Sequence, residues 1–181
     1  RQLDGRSSIS FETLAGVIQS NLESERVTIG LTPPENLRLG DRISTSTGET
    51  EIHSVNTGVP HAVLFVDDAD KVMVSELGHE IRHHDHYAPA GTNVNFVQLT
   101  GDNSIRVRTY ERGVGETLAC GTGVTASGLI TAKLHGYSSP ISVRVLGGDD
   151  LGVAFETEGD GFKNVQLSGP ADFVYSGQIE I

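Results

Sequence analysis

The residues able to do chemistry in this 181-residue chain converge on one stretch, residues 110–123, which reads Tyr-Glu-Arg-Gly-Val-Gly-Glu-Thr-Leu-Ala-Cys-Gly-Thr-Gly. It holds the chain's single cysteine, Cys120, set among Gly113, Gly115, Gly121 and Gly123. An apolar run follows and stops at Gly136, so a helix is expected over about 123–135. A helix that starts on Gly-Thr-Gly offers unpaired N–H groups to an anion such as a carboxylate, and the helix dipole favours negative charge there. The same field is expected to lower the pKa of the Cys120 thiol and raise its thiolate fraction. A nucleophile or proton-transferring base beside a bound anion is the chemistry this permits. The competing reading is a buried structural cysteine beside a Gly-rich turn, since free Cys is among the most buried residue types. Glu111, Arg112 and Glu116 favour the first reading, because three charges against a small-residue turn sit awkwardly in a plain core.

Other side chains could serve the same site. His61 follows Gly58-Val59-Pro60 and could orient or deprotonate a thiol, or be an ordinary core or solvated histidine. Asn93 and Asn95 alternate with Val94 and Phe96, so the two amides share one strand face, which is either pocket-lining or plainly exposed. Glu111 suits a substrate ammonium or the tuning of a proton, and the fork of Arg112 suits a carboxylate; the alternative is a surface ion pair. His79, His83, His84 and His86 resemble a metal cluster only at first sight. Arg82 and Asp85 interrupt them, no Cys joins them, and no His-Glu-x-x-His pattern is present, so no metal site is expected.

The elements that must position these residues read as many short strands. Gly is abundant, with 22 residues, and β-branched residues recur in short alternating runs. Strands are expected at 8–14, 17–22, 26–31, 51–57, 62–66, 93–99, 104–111, 141–146, 151–156, 164–168 and 171–181. A short helix is expected at Val74–His83, an acidic turn at 67–70 and irregular chain at 36–46. One strong helix among so many strands predicts an α+β lobe, a mostly antiparallel sheet or barrel wrapped around a central helix.

Composition narrows the partners. A net charge of −11 argues against nucleic acid, which needs clustered Lys and Arg. One cysteine excludes an internal disulfide and fits a reducing compartment, so a cytoplasmic protein is expected. No run is long enough to span a membrane and no signal peptide is visible. The chain opens on Arg1 and its only Met is Met73, so a piece of something longer is expected.

Residues 110–123 closely resemble the second-cysteine motif of diaminopimelate epimerases. Residues 57–61 resemble that family's Gly-Asn-Pro-His segment, 91–96 its Asn-containing strand, 12–16 its lobe junction and 173–181 its closing strand. The resemblance implies two pseudo-symmetric lobes and an isomerase of lysine and cell-wall synthesis. That enzyme interconverts L,L- and meso-diaminopimelate without pyridoxal phosphate or metal. Two cysteines, one per lobe, face opposite sides of the α-carbon, one taking the proton and the other delivering it. Carried over, Cys120 is the second-lobe cysteine, and Glu111 and His61 tune the thiols. Asn93, Glu111, Arg112 and the backbone of Gly121 and Thr122 hold the substrate. Val59 stands where many members carry a substrate-binding Asn, so that contact is not carried over. On this reading residues 1–22 are a remnant of the N-terminal lobe, 23–172 the C-terminal lobe, and 173–181 a closing strand returning to the first. The N-terminal lobe is then a missing partner, a homodimer is the candidate assembly, and the chain alone is expected not to epimerise. The alternatives are a proline or hydroxyproline racemase-like enzyme or a phenazine-synthesis-like isomerase, a non-catalytic amino-acid-binding lobe, and a Cys–His hydrolase using Cys120 and His61.

Overall fold

The computed structural model describes residues 7–13, 16–23, 25–172 and 174–179. The elements run β1 Ser8–Thr13, β2 Gly16–Glu23, β3 Arg26–Gly30, β4 Glu35–Thr45, β5 Gly48–Asn56, β6 Pro60–Phe65, α1 Val74–His83, β7 Asn93–Gly101, β8 Ser104–Glu111 and β9 Gly115–Thr117. They continue with α2 Gly121–His135, β10 Ile141–Arg144, β11 Asp150–Glu158 and β12 Gly161–Pro170. The strands form one sheet in the order β1-β2-β3-β12-β11-β10-β8-β7-β6-β5-β4, with β9 added on β8. Neighbours are antiparallel except β6–β7 and β8–β10, which are parallel.

The expected wrapping of the sheet around a helix is observed, and α2 is that helix. Its residues from Gly123 to Thr131 are all buried, so it has no solvent-facing stripe along that length. Its hydroxyls are tolerated there because each returns to a carbonyl one turn back: Thr125 to Gly121 at 2.9 Å, Ser127 to Gly123 at 2.7 Å and Thr131 to Ser127 at 2.7 Å. The helix ends at Gly136, whose φ of 70° is left-handed and whose N–H caps Ala132. Val124, Leu129 and Ile130 of α2 pack with Val63, Val97 and Val107 from the strands. A second core lies on the other side of the sheet, where Val74 and Ile81 of α1 meet Ala62, Leu64, Val94 and Phe96. Strands β6 and β7 are therefore covered on both faces.

Along β8 the two faces differ. Ile105, Val107, Thr109 and Glu111 point toward α2, the first three buried and Glu111 half-buried. Arg106 and Arg108 point the other way, Arg106 to Asp70 at 2.6 Å and Arg108 to Glu116 at 2.7 Å.

Three expectations need correction. Residues 36–46 are not irregular but form most of β4, whose alternation is broken by register shifts on either side of Arg38 and by left-handed Asn36 and Gly40. The strand expected at 171–181 does not form among the described residues there, and 174–179 are exposed; Phe173, Glu180 and Ile181 lie outside the described residues. Helix α2 starts at Gly121, two residues earlier than expected, on Cys120 as its N-cap residue. No helix among the described residues is long and apolar enough to cross a membrane.

Candidate active site

Strand register brings the polar residues together. The β6–β7 pairing sets His61 opposite Asn93 and Val63 opposite Asn95. The β7–β8 pairing sets Asn95 opposite Thr109 and Val94 opposite Tyr110. Because side chains alternate along a strand, His61, Asn93, Asn95, Thr109 and Glu111 share the face on which α2 begins.

Contact follows. His61 Nε2 lies 3.0 Å from Thr122 Oγ1. Asn95 Nδ2 lies 3.1 Å from His61 Nδ1 and 3.0 Å from the Ala62 carbonyl. The Thr109 hydroxyl donates to Asn95 Oδ1 at 3.0 Å. Thr122 Oγ1 lies 3.6 Å from Cys120 Sγ, and the Thr57 hydroxyl donates to the Thr122 carbonyl at 2.9 Å, tying the loop before β6 to the helix start. Residue 123 must be glycine for this assembly, since a Cβ there would overlap Asn95 Oδ1 and lie 3.3 Å from His61 Cε1. The sequence reading left open whether His61 reaches the thiol. It does so through Thr122 rather than directly.

Electrostatics reverse one expectation. Burial pushes the Cys120 thiol up, not down, and the Glu111 carboxylate adds to the rise, while the Thr122 hydroxyl and the Gly123 amide oppose it. Cys120 is only 7% exposed, so loss of water outweighs the helix field invoked from the sequence. Burial also pushes His61 down to about 4, which keeps its ring neutral near pH 7.

The remaining candidates separate into two groups. Glu111 accepts from the Thr117 hydroxyl at 2.7 Å and faces Cys120. Asn93 is buried, and its Oδ1 accepts the Arg112 N–H at 2.7 Å. Arg112 is exposed, and its guanidinium donates to the Ala90 carbonyl at 3.0 Å. Gly121 and Thr122 are the first residues of α2, where N–H groups lack intrahelical acceptors. Glu116 leaves the site. It grips Arg108 through two bonds of 2.7 and 2.9 Å on the opposite face, so it is structural.

The histidines disperse onto protein partners. His79 meets the Tyr110 hydroxyl at 3.3 Å, His83 donates to the His79 carbonyl at 2.8 Å, His84 accepts the His86 N–H at 3.1 Å, and His86 lies 3.3 Å from Asp41. Among the described residues no three metal-ligating side chains cluster. Asn95, Thr109, Thr57 and Thr117 were not picked out as site residues. Asn95 carried the one usable signal, its alternation with Asn93. A groove of about 500 Å³, lined in part by Val17, Ile18, Leu31 and Asn164, contains none of the site residues.

Cys120 thus stands at the mouth of a helix enclosed by a largely antiparallel sheet. The fold is that of the racemases and epimerases represented by the hydroxyproline epimerase of Agrobacterium vitis, with a TM-score of 0.69 at 20% identity over 94% of this chain and 58% of that one. Residues 53–174 match the diaminopimelate epimerase family. The diaminopimelate epimerase of Hydrogenobaculum sp. (strain Y04AAS1) is 45% identical over 177 residues, covering 94% of this chain and 62% of that protein. That of Aquifex aeolicus is 42% identical over 179 residues, covering 96% and 62%. The chain belongs to the diaminopimelate epimerase family. It spans about 62% of the length of these two relatives.

Proposed function

We propose that the protein to which this chain belongs interconverts L,L- and meso-diaminopimelate by proton transfer at one α-carbon, with Cys120 as one of its two acid–base groups. The observation that carries the reading is Cys120 Sγ seated at the N-terminus of α2 between Thr122 and the Glu111 carboxylate. Burial holds Cys120 as the thiol, the form that delivers a proton to a carbanion-like centre. The N–H groups of Gly121 and Thr122 receive the substrate carboxylate, which is where charge accumulates in the transition state. The Asn93 amide and Arg112 complete the grip on the α-carboxylate, and Glu111 faces the ammonium.

A single thiol cannot address both faces of one carbon, and the chain has one cysteine. The second acid–base group therefore comes from polypeptide outside these 181 residues, and the chain by itself does not invert its substrate. The lone thiol suits a reducing compartment such as the cytoplasm.

The test is L,L-diaminopimelate in deuterated water. The full-length gene product should incorporate α-deuterium and form the meso isomer, Cys120→Ala should abolish both, and the 181-residue chain should yield no meso product. Proline and hydroxyproline in the same assay should stay unlabelled. An unchanged rate in Cys120→Ala, or labelling of proline instead, refutes the assignment.

A further inference from the structure

We propose that Asn95 is a positioning residue whose amide holds the His61 proton on Nε2 and thereby turns the Thr122 hydroxyl toward Cys120 as a hydrogen-bond donor. This rests on the acid–base role given above to Cys120, but each link can be read without turnover.

The chain of reasoning starts at a carbonyl. The Ala62 oxygen can only accept, so the Asn95 atom 3.0 Å from it is the NH2 group. The Thr109 hydroxyl on the other side, 3.0 Å from Asn95 Oδ1, agrees with that orientation. Asn95 is fully buried, so no water competes for these groups. The second N–H of the amide meets His61 Nδ1 at 3.1 Å, and that nitrogen must then present a lone pair. A neutral imidazole has one ring proton, which is left on Nε2. Nε2 donates to Thr122 Oγ1 at 3.0 Å and occupies one of its lone pairs. The single hydroxyl proton of Thr122 is thus free to point at Cys120 Sγ, 3.6 Å away.

With the other tautomer the same atoms would do the reverse. Bare Nε2 would take the Thr122 proton, and Cys120 would face only oxygen lone pairs. The amide thus decides, three residues away, whether the sulfur meets a donor. A donor stabilises the thiolate, whereas Glu111, on the end of β8, stabilises the thiol. Cys120 has to visit both forms in a reversible proton transfer, and Asn95 supports the one that burial disfavours. The close approach of Asn95 Oδ1 to Gly123 fixes the amide against the same helix turn that carries Thr122.

The test uses the 181-residue chain and two NMR readouts. Heteronuclear spectra of the His61 ring report which nitrogen is protonated, and the carbon shift of the single cysteine reports its titration. In the unaltered chain the proton should sit on Nε2; finding it on Nδ1 overturns the proposal outright. Thr122→Val should raise the Cys120 pKa by about one unit, the scale of one charge-assisted hydrogen bond, and Thr122→Ser should restore it. Asn95→Asp supplies an acceptor in place of the donor, so the ring proton should move to Nδ1. The thiol titrates above the ring, so Nε2 is then bare and the thiol pKa should again rise by about one unit. A thiol that titrates unchanged in Thr122→Val, or in folded Asn95→Asp with the proton on Nδ1, overturns the relay. If Asn95→Asp does not fold, the ring proton in the unaltered chain and the Thr122 pair decide. A failed epimerase assay beside a positive NMR result would discard the substrate and keep the relay.

Discussion

Gly123→Ala is the sharpest probe of how the site is held. Helix propensity alone favours alanine by about 1 kcal/mol, since Gly123 lies in α2. The structure opposes it. An added Cβ would overlap Asn95 Oδ1, which is bonded to Thr109 and cannot swing away, and would press on His61 Cε1 at 3.3 Å. Overpacking of that kind costs about 1–3 kcal/mol, and breaking one buried polar contact of Asn95 adds about 1–3 kcal/mol. The net expectation is a loss of about 1–5 kcal/mol after the propensity gain is subtracted. With a urea slope of about 2 kcal/mol/M, the midpoint should fall by at least about 0.5 M. Gly121→Ala is the control, because its Cβ would meet only the end of the Leu167 side chain, at 2.9 Å, which can rotate aside. A Gly123→Ala chain as stable as the original, or more so, would refute the claim that Asn95 is locked against α2.

Two further outcomes follow from the charges. The His61 pKa is depressed from 6.5 to about 4 by burial, so the unfolded chain binds that proton first as pH falls. The resulting stability is present in full above pH 6.5 and is lost down to about pH 4, a term of about 3 kcal/mol; His53, also lowered by burial, acts in the same direction. Urea midpoints across that window should fall with acidity and fall less steeply in His61→Gln; a flat profile contradicts the burial argument. Glu111→Gln removes a carboxylate that raises the Cys120 pKa, so alkylation by iodoacetamide at fixed neutral pH should quicken, and a slower or equal rate would show that Glu111 does not act on the sulfur.

Local chemistry was legible in the sequence and tertiary chemistry was not. Helix α1 was expected with the bounds it has, and α2 was displaced only by a start that Cys120 itself defines. The strands at 93–99, 104–111, 151–156 and 164–168 were visible because alternation is read between neighbours in the chain. Strand β4 was hidden because its bulges break the period that would reveal it. Cys120, His61, Glu111 and Asn93 are candidates from their types and settings, and the structure sets His61, Asn93 and Glu111 on the sheet face where Cys120 caps α2. The sign of the Cys120 shift was not available, because the helix field is a local feature and burial depends on everything packed above it. Asn95 was seen to share a face with Asn93, but only the fold puts Gly123 and His61 against it.

Strand β8 has a consequence for how such a site can change over time. Its α2-facing side passes from Ile105 and Val107 through Thr109 to Glu111, and its other side carries the arginine anchors. Substitutions at the Ile105 end act on the packing around α2, and those at the Glu111 end act on the proton affinity of Cys120. Selection can therefore act on the two ends independently. A single strand in this layout allows the proton affinity of the thiol to change while the framework that holds it stays fixed.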